Sequence, residues 1–272
     1  MLPTINKDTV LCMSLAGRPG NFGTRFHNFL YRELGLNFVY KAFTTTDLPA
    51  AIAAIRALNI RGCAVSMPFK EDCIPLLDVL EPSARAIGSV NTIVNDGGEL
   101  TAYNTDFIAV SALLDTHAVP RDGRFLLRGS GGMARAVVAA LRDKGFEHGT
   151  IWARNEQKGR ALADEFGYAW RAEPEAEPAA MLVNVTPVGM AGGADADATS
   201  FPEAMVRAAD TVFDVVAIPA ETALVRLGRA HGRRVITGAE VIALQALEQF
   251  VLYTGTRPDP ALVERAAAFA RG

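Results

Sequence analysis

The chain has 272 residues, half of them apolar and 21% charged, with a formal net charge of −3. That length can bury a sizeable core in one large domain or two smaller ones. The near-neutral charge, with lysines and arginines scattered, offers no electrostatic footprint for nucleic acid or an anionic membrane surface. Cys12, Cys63 and Cys73 are odd in number and lack metal-ligand spacing, so reduced thiols and no bound metal are expected. No apolar run approaches the ~20 residues of a membrane-spanning helix. The opening stretch, residues 1–8, lacks the basic-then-apolar order of a signal peptide, and a soluble cytoplasmic chain is expected.

In chain order, residues 10–14 read as a strand and a Gly- and Pro-rich loop follows. A helix is predicted over about 24–34 with Gly35 suited to its end, then a strand over 38–43. Asp47 is placed to cap an Ala-rich helix running to Leu58. Residues 63–67 form a short apolar strand stopped by Pro68. Residues 90–95 and 100–104 flank Asp96-Gly97-Gly98, a hairpin turn by its chemistry. After a polar break at 121–123, strands are predicted over 124–128, 150–153, 181–185, 212–216 and 234–237, with helical stretches between them. Residues 172–175 and 191–194 read as surface loops. Alternating strands and helices of this kind imply an α/β chain of two domains. The first is a mixed-sheet α/β domain over 1–108; the second is a doubly wound, Rossmann-type domain over 109–237. Two closing helices, about 239–253 and 260–270, belong to neither sheet by pattern alone, and Phe250 and Tyr253 read as core.

The strongest chemical signal in the second domain is strand, Gly129-Ser130-Gly131-Gly132-Met133-Ala134, then helix. Gly129 suits the tight turn, Gly131 lets the backbone approach a pyrophosphate, and Ala134 is small enough for close helix–strand packing. The helix N-terminus offers free N–H groups and a positive dipole to phosphates. An NAD site usually carries an acid at the end of the second strand. Here Arg154 and Asn155 stand there, with Lys158 one turn later, two cations suited to a 2′-phosphate. NADP is therefore the expected cofactor, although a solvated cationic face including Arg160 is an alternative reading of the same charges.

In the first domain Lys70 follows a strand and Pro68, which places it at the sheet edge where ligands bind in open α/β sheets. Asp106 follows the strand end at Asn104-Thr105 in the same domain. Spacing alone leaves two readings open, a proton-transfer pair and a surface ion pair of little energetic value.

Seven ordered segments resemble the shikimate dehydrogenase family across nearly the whole chain. Ser66-Met67-Pro68-Phe69-Lys70 is similar to the family's Thr-hydrophobic-Pro-His-Lys segment, and Gly88-Ser89-Val90-Asn91-Thr92 to its Gly-Ala-Val-Asn-Thr. Asn104-Thr105-Asp106 matches Asn-Thr-Asp, and the glycine loop matches Gly-Ala-Gly-Gly. Ala153-Arg154-Asn155 stands where Asn-Arg-Thr is common. Asn184-Val185-Thr186 through Gly189-Met190 resembles the strand end near the nucleotide. Gly238 and Gln245 fall where the family has a cofactor-approaching Gly and a substrate-contacting Gln. The resemblance implies an NADP-dependent interconversion of alcohol and ketone on a small polyhydroxy ring acid. Substrate would bind in the first domain, with residues 238–272 folding back onto it, and NADP in the second. Lys70 and Asp106 would bracket the reacting hydroxyl, and Asn91, Ser66 and Gln245 would hold the remaining ones. Thr186 and Val216 would join Gly238 at the cofactor.

The pattern breaks at the amino-terminal loop. The family's Ser-x-Ser-Pro carboxylate anchor precedes a His-Asn pair. His27-Asn28 is present, but the serine positions read Asn21 and Gly23. His27 itself reads as helix packing. Ala217 replaces a usual Tyr, Phe107 a usual Gly and Phe69 a usual His. Arg18, Arg25, Asn21 or Thr24 could replace the anchor, and each also reads as an exposed loop residue. The expectation is a divergent, shikimate-dehydrogenase-like oxidoreductase with weak shikimate activity, monomeric or homodimeric, taking a small hydroxy compound. Two rivals stand beside it: a non-catalytic NADPH-binding regulator, and a true shikimate or quinate dehydrogenase with a relocated anchor.

Overall fold

A computed structural model describes residues 5–173 and 178–272. Met1 to Thr4 of the opening stretch, and Pro174 and Glu175 of one expected loop, lie outside the described residues. The chain divides into two units, residues 1–105 with 243–272, and residues 106–242.

The first unit begins with β1 (Val10–Leu15), α1 (Phe22–Glu33), β2 (Phe38–Phe43), α2 (Leu48–Ala57) and β3 (Gly62–Val65). It continues through the one-turn α3 (Phe69–Asp72), β4 (Val79–Leu80), α4 (Pro82–Ile87), β5 (Thr92–Asp96) and β6 (Glu99–Tyr103). The sheet order is β2-β1-β3-β5-β6-β4. β1, β2 and β3 are parallel, whereas β5 runs antiparallel to β3 and β6, which makes the sheet mixed. Asp47 caps α2 as expected, its Oδ1 accepting from the Ala50 N–H at 3.0 Å.

α5 (Thr105–Thr116) leads into the second unit. There follow β7 (Phe125–Arg128), α6 (Gly132–Asp143), β8 (Gly149–Trp152), α7 (Glu156–Phe166), β9 (Ala169–Arg171) and β10 (Met181–Asn184). The unit closes with α8 (Glu203–Ala208), β11 (Thr211–Asp214), α9 (Ala223–Ala230) and β12 (Arg234–Thr237). All six strands are parallel, in the order β12-β11-β10-β7-β8-β9. This is the doubly wound order whose switch point lies between the first and fourth strands, here β7 and β10. The three-residue β9 and two-residue β4 are too short to show a period in sequence and were not among the expected strands.

α10 (Gly238–Thr254) and α11 (Pro260–Arg271) close the chain. From Ala243 onward they belong to the first unit, so the division falls inside α10 rather than at its start. Alternation along β1 sorts the first unit's core into two layers. Cys12 faces Phe26, Tyr31, Phe250 and Tyr253 of α1 and α10, with Ala266 of α11. Met13 and Leu15 face Ile52 and Ile55 of α2. All three cysteines are buried free thiols, and desolvation pushes Cys12 and Cys73 up to about 12.

Candidate active site

In the second unit a cleft of about 860 Å³ opens over the ends of β7, β8 and β10, at the topological switch point. Gly129, the residue after β7, has φ +126°, and a Cβ there would lie 2.8 Å from Val185 Cγ2. Only glycine fits that turn. Gly131 is the N-cap of α6 and supplies no side-chain cap, so the first-turn N–H groups are left for an anion. A Cβ added at Gly131 or Gly132 would meet no atom within 4 Å, which leaves the backbone open to a phosphate. Ser130 lines the cleft, Met133 is half-buried, and Ala134 is fully buried where α6 packs on the sheet.

At the end of β8, Arg154 is exposed and lines the cleft. Asn155 also lines it, but its Oδ1 is spent on capping α7 by accepting from the Lys158 N–H at 2.9 Å. Lys158 is exposed and is not among the cleft-lining residues. Arg160 pairs with Glu156 and lies 4.2 Å from the Trp170 ring, so it belongs to the solvated face of α7.

Two residues of this cleft lay unmarked within expected strands. Arg128 stacks 4.4 Å from the Trp152 ring, its register neighbour, and donates to the Ser200 carbonyl. Burial lowers the Arg128 pKa, and the charge of Arg154 lowers it further. The sequence signal for it was a cation ending an otherwise apolar strand.

The loops after β10 and β11 are held by one buried network. Asn184 donates through Nδ2 to Asp214 Oδ1 at 2.9 Å and accepts through Oδ1 from Thr186 Oγ1 at 2.6 Å. Asp214 also receives the Val216 N–H at 3.1 Å and the Thr222 hydroxyl at 2.6 Å. Burial raises the Asp214 pKa, and these three hydrogen bonds pull it back. Gly238 packs so tightly behind Val216 that a Cβ would lie 2.4 Å from the Val215 and Val216 backbone.

In the first unit the loops after β1 and β3 are tied together, the Gly17 N–H donating to the Met67 carbonyl at 2.9 Å. Ser66 is exposed in that second loop, its N–H bonded to the Leu15 carbonyl at 2.9 Å. Lys70 lies in α3, a turn rather than a strand edge, and is half-buried. Its carbonyl accepts from the Val90 N–H at 2.8 Å, which fixes Lys70 against the residue before Asn91. Asn91 is 3% exposed. Its Oδ1 accepts from the Thr105 N–H at 2.7 Å, the Thr105 hydroxyl at 3.1 Å and the Thr92 hydroxyl at 2.8 Å. Gln245 is half-buried on α10.

Asp106 follows Thr105 directly, but the units divide between these two residues, which places Asp106 in the second unit rather than the first. The reason lies in α5: Thr105 is bonded to Asn91, while the buried Ala109, Val110, Leu113 and Leu114 belong to the second unit.

The divergent loop is sorted by the structure. Asn21 is the exposed N-cap of α1 and its side chain caps nothing. Arg18 is exposed, Arg25 lies 5.2 Å from the Phe269 ring, and the Thr24 hydroxyl is buried without a hydrogen-bond partner. His27 is fully buried and stacks on Tyr40 at 4.5 Å. Desolvation pushes its pKa down to about 3, partly offset by Gln249. Asn28 joins α1 to β2 by accepting from the Tyr40 N–H and donating to its carbonyl. His27 therefore builds the core, and the half-buried Asn28 ties α1 to β2.

Among the described residues no cluster of three or more His, Cys, Asp or Glu side chains could hold a metal ion, and no helix is long and apolar enough to cross a membrane.

A family model of the shikimate dehydrogenase substrate binding domain matches residues 22–93. A shikimate dehydrogenase-like protein of Haemophilus influenzae is 57% identical over 267 residues, spanning 98% of both chains. The solved structure of a shikimate 5-dehydrogenase-like protein is 56% identical with a TM-score of 0.98, covering 99% of this chain and all of that one. The shikimate 5-dehydrogenase of Thermus thermophilus, solved with NADP(H) and shikimate, is 34% identical with a TM-score of 0.84. That match covers 96% of this chain and 100% of the Thermus chain.

Proposed function

Because the chain belongs to the shikimate dehydrogenase family, we propose that it is an NADP-dependent oxidoreductase interconverting a ring hydroxyl and ketone of a small hydroxy compound, with weak activity on shikimate. The observation that carries this reading is the hydrogen-bonded array from Lys70 through Val90 and Asn91 to Thr105, with Asp106 the next residue. It fixes the backbone of Lys70 and the side-chain amide of Asn91 in the first unit.

The dinucleotide, when bound, supplies hydride transfer. The open Gly131–Gly132 backbone and the uncapped start of α6 hold its pyrophosphate, and Arg154 meets the 2′-phosphate. Lys70 passes the proton to or from the reacting oxygen, and its ammonium form stabilises a developing alkoxide there. Asp106 supplies the carboxylate of the acid–base chemistry. Ser66, Asn91 and Gln245 bind the other oxygens of the ring.

Neither expected serine position carries a hydroxyl, since these read Asn21 and Gly23. Losing a hydrogen-bonded anion anchor weakens binding by about 2–5 kcal/mol, which underlies the weak preference for shikimate. The test is the initial rate of NADPH formation with shikimate, quinate and cyclic polyols lacking a carboxylate. Lys70→Ala is expected to lower turnover on the best substrate by roughly 10²–10⁴-fold. Tight NADPH binding with no turnover on any of these compounds would favour the regulatory reading instead.

A further inference from the structure

Gln249 sits one turn beyond Gln245 on α10, is 4% exposed, and takes part in the same array. We propose that it is a positioning residue that completes the set of donors holding Asn91 Oδ1 inward, so that Nδ2 is presented to substrate as a donor and the substrate must offer an oxygen acceptor at this position. The proposal rests on the reading of the first unit as the substrate-binding one.

The argument is a count of donors and acceptors. The Thr105 backbone N–H is 2.7 Å from Asn91 Oδ1 and can only donate. A flipped amide would set Nδ2 against that N–H, so the carbonyl end of Asn91 must face inward. The hydroxyls of Thr92 and Thr105 lie 2.8 and 3.1 Å from the same oxygen. Gln249 decides what the Thr92 hydroxyl can do. Its Nε2 donates to Thr92 Oγ1 at 3.0 Å and to the Asn91 carbonyl at 3.3 Å. Thr92 Oγ1, which accepts from Gln249, lies 2.8 Å from Asn91 Oδ1 and 3.3 Å from Thr105 Oγ1, and its proton takes the shorter contact to Asn91.

With Oδ1 receiving three donors, the amide is held at one end only. Among the described residues the hydrogen bonds of the Asn91 side chain all use Oδ1. Nδ2 is left to bind a ligand, and an NH₂ group can only donate. A hydroxyl, ketone or carboxylate oxygen satisfies it, whereas a protonated amine at the same ring position meets like polarity and is refused.

Gln249→Leu removes both donors and Gln249→Glu replaces the Nε2 donor with an acceptor of the same shape. We expect each to raise KM for the best hydroxy substrate about tenfold, with kcat less affected and NADPH affinity unchanged. In an Asn91→Ala background, Gln249→Leu is expected to add nothing further to KM. If the two effects add in full, or if Gln249→Leu leaves KM unchanged, the proposal is wrong. Should Gln249→Leu not fold, the same comparison is made with Gln249→Glu. Should the wild type turn over no hydroxy compound, the functional reading fails while this one is still decided by NMR. A change in the Asn91 side-chain NH₂ chemical shifts in Gln249→Glu supports the positioning role, and signals identical to wild type overturn it.

Discussion

His27 is the residue on which the folding energetics can be checked most directly. It is fully buried, among Phe26, Tyr31, Tyr40, Phe250 and Tyr253, and its folded pKa is held at about 3 against 6.5 when solvated. The unfolded chain therefore binds one more proton than the folded chain between these two values. Stability from this residue is complete above pH 6.5 and is lost as pH falls toward 3. At about 1.36 kcal/mol per pH unit, the loss is roughly 2 kcal/mol by pH 5 and approaches about 5 kcal/mol below pH 3. Tyr31 and Tyr253 are held well above their ordinary values by burial, and Cys12 at about 12, so none of these neighbours titrates in that window. His27→Phe keeps the stacking on Tyr40 and removes the proton site. Urea unfolding of wild type and variant at pH 8 and pH 5 isolates the effect, because all other titrations cancel in the difference. The variant is expected to gain about 2 kcal/mol on the wild type between pH 8 and pH 5. A gap independent of pH would refute the assignment of a neutral, desolvated imidazole.

Gly238→Ala forces a Cβ to 2.4 Å from the Val215 and Val216 backbone, and is expected to cost about 1–3 kcal/mol; an unchanged thermal midpoint would show that this contact relaxes freely. Thr222→Val removes both the 2.6 Å hydrogen bond to buried Asp214 and the side-chain cap of α9. A loss of about 2–4 kcal/mol in chemical denaturation is expected, and a loss under 1 kcal/mol would mean that the Asp214 network contributes little. Arg154→Ala should weaken NADPH relative to NADH by about 1.5–3 kcal/mol, read by competition titration at low salt. Lys158→Ala should change this ratio less, since Lys158 does not line the cleft; the reverse order would move the 2′-phosphate site onto α7.

The parts of the fold legible in sequence were those with a strong local signal. The apolar runs of β7, β10 and β11, the Asp47 cap and the Gly97-Gly98 turn each announce themselves within a few residues. The glycine loop was legible for the same reason, since its requirement is a backbone one. What escaped was long-range pairing. Arg128 reads as one charge in a strand until its register sets it beside Trp152. Asp214 reads as a strand end until Asn184 and Thr222 converge on it. Gln249 lies 158 residues from Asn91 in the chain, and no local pattern links them. Asp106 reads as part of the first domain because it follows the strand end at Asn104-Thr105, whereas the structure assigns it, with the rest of α5, to the second unit.

The same distinction bears on substrate preference. In the divergent loop, Arg25 packs toward Phe269 and the Thr24 hydroxyl is buried, which removes two of the four side chains that could replace a serine anchor. Asn21 and Arg18 remain, both exposed. An exposed cation pays side-chain entropy to hold an anion and is screened by salt, so it replaces only part of a buried anchor. Asn91, by contrast, is neutral and fixed, held by three hydrogen bonds. A fixed neutral donor pairs with a ring hydroxyl at little entropic cost, whereas a carboxylate held by an exposed side chain carries that cost in full. On the function proposed above, the expected outcome is a higher kcat/KM on cyclic polyols than on the corresponding ring acids, and the opposite order would mean that the anchor has been replaced in full.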